Sequence, residues 1–175
     1  PFFTGELSEP RATGVTKTAG NCIKVTYDCG DKGTLTGYWT VPENGSHISV
    51  RLLFKPAKDG TYTLALHGLK SIPDNETAGG LMPPMYAGTR LPATPQMLFS
   101  SMMTQCVAAV SRTEGFGKAT AFVASDLDKF PADWGSYDNS PVGFTLRDSR
   151  GELQPVGFSP LPGMPDAKVK AGQTV

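Results

Sequence analysis

The chain reads as an all-β protein, an antiparallel β-sandwich or jelly-roll-like fold with about eight strands. Three observations predict it. Glycine (20) and proline (15) supply one residue in five of the 175, against roughly 12% in average usage. Elements are therefore short and turns many. Residues 22–66 alternate apolar and polar side chains with period two, the periodicity of strands. Turn chemistry falls between the alternating runs, at Cys29-Gly30-Asp31-Lys32-Gly33 and at Pro42-Glu43-Asn44-Gly45; Asn and Gly tolerate the positive φ of tight turns. Hydrophobic residues at 39% suffice for a core, since a chain of this size buries about 70% of its unfolded surface. A coiled coil, a helical bundle and a collagen are excluded.

Taken in order, residues 1–20 read as irregular and extended, punctuated by Pro10, Gly14 and Gly20. Ile23, Val25 and Tyr27 then alternate with Lys24, Thr26 and Asp28 as a half-buried strand. Residues 34–41 set Leu35, Gly37, Trp39 and Val41 on one face and Thr34, Thr36, Tyr38 and Thr40 on the other. Ile48, Val50, Leu52 and Phe54 point inward from the next run, and Tyr62, Leu64 and Leu66 from a fourth. Four such runs make a meander or part of a Greek key. Residues 68–95 read as a long Pro-rich loop, a length that is usually functional or mobile. Thr94-Pro95 is a helix start, with Thr as N-cap and Pro at the first position. Leu98, Met102 and Cys106 follow at helical spacing, so one short helix is expected at 95–104. Further strands are expected near 106–112, 119–125, 142–148 and 153–158, with a last edge strand near 167–170. Prolines at 155, 160, 162 and 165 keep the end extended. Nothing splits the sequence, so the expectation is one domain over 1–175, with N-terminal (1–20) and C-terminal (159–175) arms.

Charge narrows the function classes. Sixteen Lys+Arg balance sixteen Asp+Glu, and neither terminus carries a basic arm. Nucleic-acid binding needs cations gathered on one face. No nucleic-acid partner is predicted from the linear order, which leaves only a patch assembled by folding. No apolar run approaches the ~20 residues of a membrane span. Pro1 fits either an excised initiator methionine or a boundary inside a longer chain. Cys22, Cys29 and Cys106 are an odd set, and the first two flank an extended run too long to bridge. Buried free thiols are the expectation, with a pairing of Cys106 with one of the other two left open.

Candidate chemistry is sparse. His47 and His67 flank the 48–66 runs and offer the one acid–base reading, a hydrolase. Solvated histidines at strand ends are the simpler account. Asp126, Asp128, Asp133 and Asp138 crowd one region without the spacing of a calcium loop, so no metal and no cofactor are predicted. Asn44 and Asn75 head glycosylation sequons by pattern. Trp134, Tyr137, Asp138 and Asn139 combine an aromatic face with hydroxyl-pairing groups and are the candidate ligand-binding residues. Phe2, Phe3, Met82, Pro83, Pro84 and Met85 are apolar and placed in loops or arms; they are the candidate subunit contacts. The reading is a non-enzymatic structural protein of a larger assembly, such as a viral capsid, spike or decoration subunit on a virion or extracellular surface. Its expected partners are copies of itself or other assembly subunits. The alternative is a cell-surface or fimbrial adhesin binding a glycan or protein receptor through the 132–141 loop.

Overall fold

The computed structural model describes residues 10–45, 47–67, 71–82, 86–88, 98–99, 106–111, 119–123, 142–147, 151–161 and 163–175. Among these, every regular element is a strand or a short 3-10 turn, and every strand pairing is antiparallel. The all-β class holds. No helix among the described residues is long and apolar enough to cross a membrane. The chain forms two compact units, Pro1–Tyr62 with Lys168–Val175, and Thr63–Ala167.

The first unit is built on a meander. Strands β1 (Arg11–Lys17), β2 (Cys22–Asp28), β3 (Gly33–Thr40) and β4 (Ser49–Pro56) lie in the order β1-β2-β3-β4. β2, β3 and β4 follow from the alternation in the sequence. β1 does not: all seven of its residues are exposed, and an edge strand without a buried face shows no apolar period. Gly33 opens β3 at φ +140°, where a side chain would strike the Lys55 carbonyl and Pro56; only glycine fits there. Val25, Leu35 and Phe54 are buried. Phe54 meets Tyr62 with ring centroids 5.0 Å apart, within the favoured range for aromatic pairs.

A second small sheet completes this unit. β5 (Gly60–Thr61) pairs with β14 (Lys168–Val169). The residues after β14 run back along β4. Phe54 and Val175 exchange two backbone bonds, at 2.7 and 2.9 Å, and Gly172 N–H donates to Pro56 at 2.8 Å. Ala171 N–H donates to the Asp59 carboxylate at 2.8 Å. Residues 168–175 thus satisfy backbone groups along the edge of β4.

The second unit centres on a hairpin, β12 (Gly143–Arg147) and β13 (Leu153–Ser159), extended to β6-β13-β12-β9 by β6 (Leu64–His67) and β9 (Leu98–Phe99). A second sheet has the order β11-β10-β7-β8, from β7 (Thr77–Met82), β8 (Tyr86–Gly88), β10 (Cys106–Ser111) and β11 (Ala119–Val123). β10 lies against β12 and β13, and β11 against β13. Phe144, Leu153 and Leu161 are fully buried. β12 and β13 slip by one position between Thr145 and Arg147, and Pro155 sits in that interval of β13. A bulge is where an interior strand tolerates proline, because no ladder N–H is required there. The Thr145 hydroxyl donates to the Arg147 carbonyl at 3.1 Å and accepts from its N–H at 3.4 Å.

Three expectations are corrected. Residues 11–17, read as irregular, are β1. The 68–95 loop contains β7 and β8, paired through Gly80↔Gly88, Leu81↔Ala87 and Met82↔Tyr86. Gly79 and Gly80 are buried beside Val110 and Ala109 of β10. The pair reads as a turn signal in the sequence but lies within a strand. Within the expected helix 95–104, Leu98 and Phe99 are strand, opposite Phe144 and Gly143; its other positions lie outside the described residues. Cross-strand pairing outweighs the local helical spacing.

Gly143 supplies the test of this core. A Cβ there would lie 2.6 Å from Leu161 Cδ2 and closer still to the Phe158 ring. Gly143→Ala is expected to cost about 1–3 kcal/mol through overpacking, read as a lower midpoint in urea unfolding; an unchanged midpoint would mean that Phe158 and Leu161 yield freely.

Candidate interaction surface

The first sheet has two chemically distinct faces, and the register assigns every residue to one. On the apolar face, Tyr27, Leu35 and Phe54 form one cross-strand row. Val15, Val25, Gly37 and Leu52 form the next, and Lys17, Ile23, Trp39 and Val50 a third. Burial declines from the first row outward. Leu35 and Phe54 are buried, whereas Ile23 is 42% and Val15 67% exposed. Val41 and Ile48, just beyond β3 and β4, are 42% and 52% exposed. Those four are most of the large exposed hydrophobic residues among the described ones; Leu81 and Val175 are the others. A run of apolar side chains at one end of a sheet marks a contact surface more than scattered ones do.

Gly37 shapes the middle of that face. A Cβ there would lie 2.9 Å from Trp39 Nε1, 3.2 Å from the Tyr27 ring and 3.3 Å from Leu52 Cδ2. The two aromatic side chains therefore lean over the glycine. Trp39 Nε1–H donates to the Tyr27 hydroxyl at 3.2 Å, a bond that fixes both. Two half-buried aromatics held in place suit recognition, because little side-chain freedom is left to lose on contact.

The second unit holds a polar cluster around β13. Arg147 is only 7% exposed; its guanidinium donates to Asp74 Oδ1 at 2.9 Å and to the Gly151 carbonyl. The Ser71 hydroxyl donates to Glu152 at 2.5 Å, and the Gln154 amide pairs with His67 Nδ1 at 3.3 Å. Ile72 forms a backbone bridge with Leu153. These bonds hold the 71–77 segment, with its 3-10 turn Asp74–Glu76, against β13. His47 precedes β4, which pairs with β3, and His67 ends β6, which pairs with β13. The two histidines do not flank a common hairpin.

Cys22, the first residue of β2, and Cys29, just after its last, are free thiols. Hydrogen bonds with Thr18 and Thr40 lower the Cys22 thiol from its ordinary value. Burial, then the Asp28 charge, raises Cys29. On the surface, Lys58 bonds Asp31 at 3.0 Å and holds that carboxyl below the usual range. Any stability from that pair is present above the ordinary carboxylate value and fades as pH falls through the lowered one. Both side chains are exposed, so the amount is small.

Trp134, Tyr137, Asp138 and Asn139 lie outside the described residues, as do Phe2, Phe3, Pro83, Pro84 and Met85 and the aspartates at 126, 128 and 133. Met82 ends β7. The sequence reading missed Val15, the exposure of Ile23 and Ile48, and buried Arg147. The Tyr27–Trp39 contact had a signal: both residues fall on the apolar face of alternating runs with a glycine between them.

Three outcomes are expected. Arg147→Ala should cost about 2–3 kcal/mol in urea unfolding, since it opens a cavity and leaves the Gly151 carbonyl unpaired. Asp74→Ala should cost about 1.5–3 kcal/mol, because it takes the carboxylate from a guanidinium that is only 7% exposed; no measurable loss would show that the 75% exposed Asp74 carboxylate contributes little. In alkylation by iodoacetamide, Cys22 should react at lower pH than a free cysteine and Cys29 should lag behind it; the reverse order would contradict the assigned environments.

No family model, no curated protein and no solved structure matches this chain.

Proposed function

We propose that this chain is a non-enzymatic structural subunit of a larger assembly, of the viral capsid, spike or decoration type, displayed on a virion or outer surface. The observation that supports it most is the apolar end of the first sheet. Val15, Ile23, Val41 and Ile48 are exposed there, beside the fixed Trp39–Tyr27 pair. Such a surface gains free energy when another subunit covers it, at about 25 cal/mol per Å² of apolar area removed from water. The partner in this reading is a second copy of the chain. A β-sandwich arrangement of the strands fits the reading, since two layered sheets leave edges and loops for neighbour contacts.

Light scattering on the native protein tests it. The expected mass is a multiple of the 18.6 kDa chain, and Ile23→Glu combined with Ile48→Glu should return it to one chain without loss of the fold. A single chain at all accessible concentrations would end the proposal.

A further inference from the structure

The opposite face of the first sheet collects what the sequence scatters. One cross-strand row is Thr16–Lys24–Tyr38–Arg51, and the next is Gly14–Thr26–Thr36–Leu53. A third is Arg11–Asp28–Thr34–Lys55, and Cys22–Thr40–Ser49 closes the far end. Arg11, Lys24, Arg51 and Lys55 thus share one face with a single carboxylate, Asp28. That carboxylate already accepts the Gly30 N–H at 2.8 Å. None of the four cations forms an ion pair among the described residues. The whole chain is neutral, yet the first unit carries nine Lys+Arg against six Asp+Glu.

Tyr38 lies at the centre of this pattern. Lys24 stands directly opposite it on one neighbouring strand and Arg51 on the other. Strands are about 4.8 Å apart, so the two cations flank the ring at roughly 10 Å separation between their backbones. Thr16, Thr26, Thr36 and Thr40 stand around them, together with Cys22, Ser49 and Leu53. A flat aromatic between cations, on a hydroxylated sheet face, is the chemistry that takes a base on the ring and phosphates on either side. A sulfated polysaccharide would use the cations but give the central aromatic no base to stack.

We infer that this face of the first sheet binds single-stranded nucleic acid, with Tyr38 as the stacking platform and Lys24, Arg51, Arg11 and Lys55 as phosphate contacts. The inference does not rest on the assembly reading.

The test is fluorescence anisotropy of the full chain with a labelled 15-mer of oligothymidylate. Binding is expected to weaken about 30-fold between 50 and 200 mM salt, as three to four phosphate contacts on a single strand require. Lys24→Gln with Arg51→Gln should lower the logarithmic salt slope by about 1.4. Tyr38→Ala should weaken binding about tenfold at fixed salt. Lys17→Gln removes a charge from the other face and should change nothing. Thr36→Lys adds one to the binding face and should tighten binding, which keeps the test decisive if Tyr38→Ala fails to fold. No binding at 50 mM salt overturns the inference. So does binding that the face variants leave unchanged, or capture of heparin fragments without the oligonucleotide.

Discussion

The pairing of β2, β3 and β4 in one unbroken register is the constraint on which the first unit rests. Successive side chains in a strand point to opposite faces, so a slip of one residue would exchange the two faces entirely. Leu35 and Phe54 would then face water, and Lys24, Arg51 and Lys55 would enter the core. Burying three unpaired cations is prohibitive. The register is therefore held less by any single bond than by the cost of every alternative. Gly33 sets its start, since only glycine clears the Lys55 carbonyl there. The same register makes one surface apolar and the other cationic.

The second unit solves a different problem. β12 and β13 are almost wholly buried, so their polar groups need partners within the protein. Arg147 and Gln154 are the buried polar residues among those described. Each is tied to a neighbouring element, Arg147 to Asp74 and Gln154 to His67. The bulge at Pro155 belongs to the same economy of backbone groups: the residue that cannot donate sits where the ladder is already interrupted. The buried polar side chains of this hairpin are thus met by neighbouring elements.

Legibility in the sequence followed burial. β2, β3 and β4 could be read because each shows one face to a core and one to water. β1 could not, since Val15 is its one large apolar residue and even that is exposed. β7 was hidden by Gly79-Gly80, a pair that resembles a turn. The interval at 98–99 misled because a capping pair and a four-residue spacing describe a helix locally, whereas strand partners are supplied from far along the chain. Arg147 carries no local mark of its burial. The cationic face was invisible for a related reason: Arg11, Lys24, Arg51 and Lys55 are dispersed in sequence, and only strand pairing makes them neighbours. The two surfaces were half legible, then, as alternation without knowledge of which end stays open.

The pairing of residues 168–175 with β4 and β5 has a temporal meaning. The bond from Ala171 to Asp59 spans 112 positions, and the entire second unit lies between its two halves in the chain. During synthesis β1 to β4 emerge before the second unit, and the residues that pair with the edge of β4 emerge after it. The second unit, continuous in sequence, can condense meanwhile without them. The first unit is thus begun before the second and completed after it, when residues 172–175 close the edge of β4.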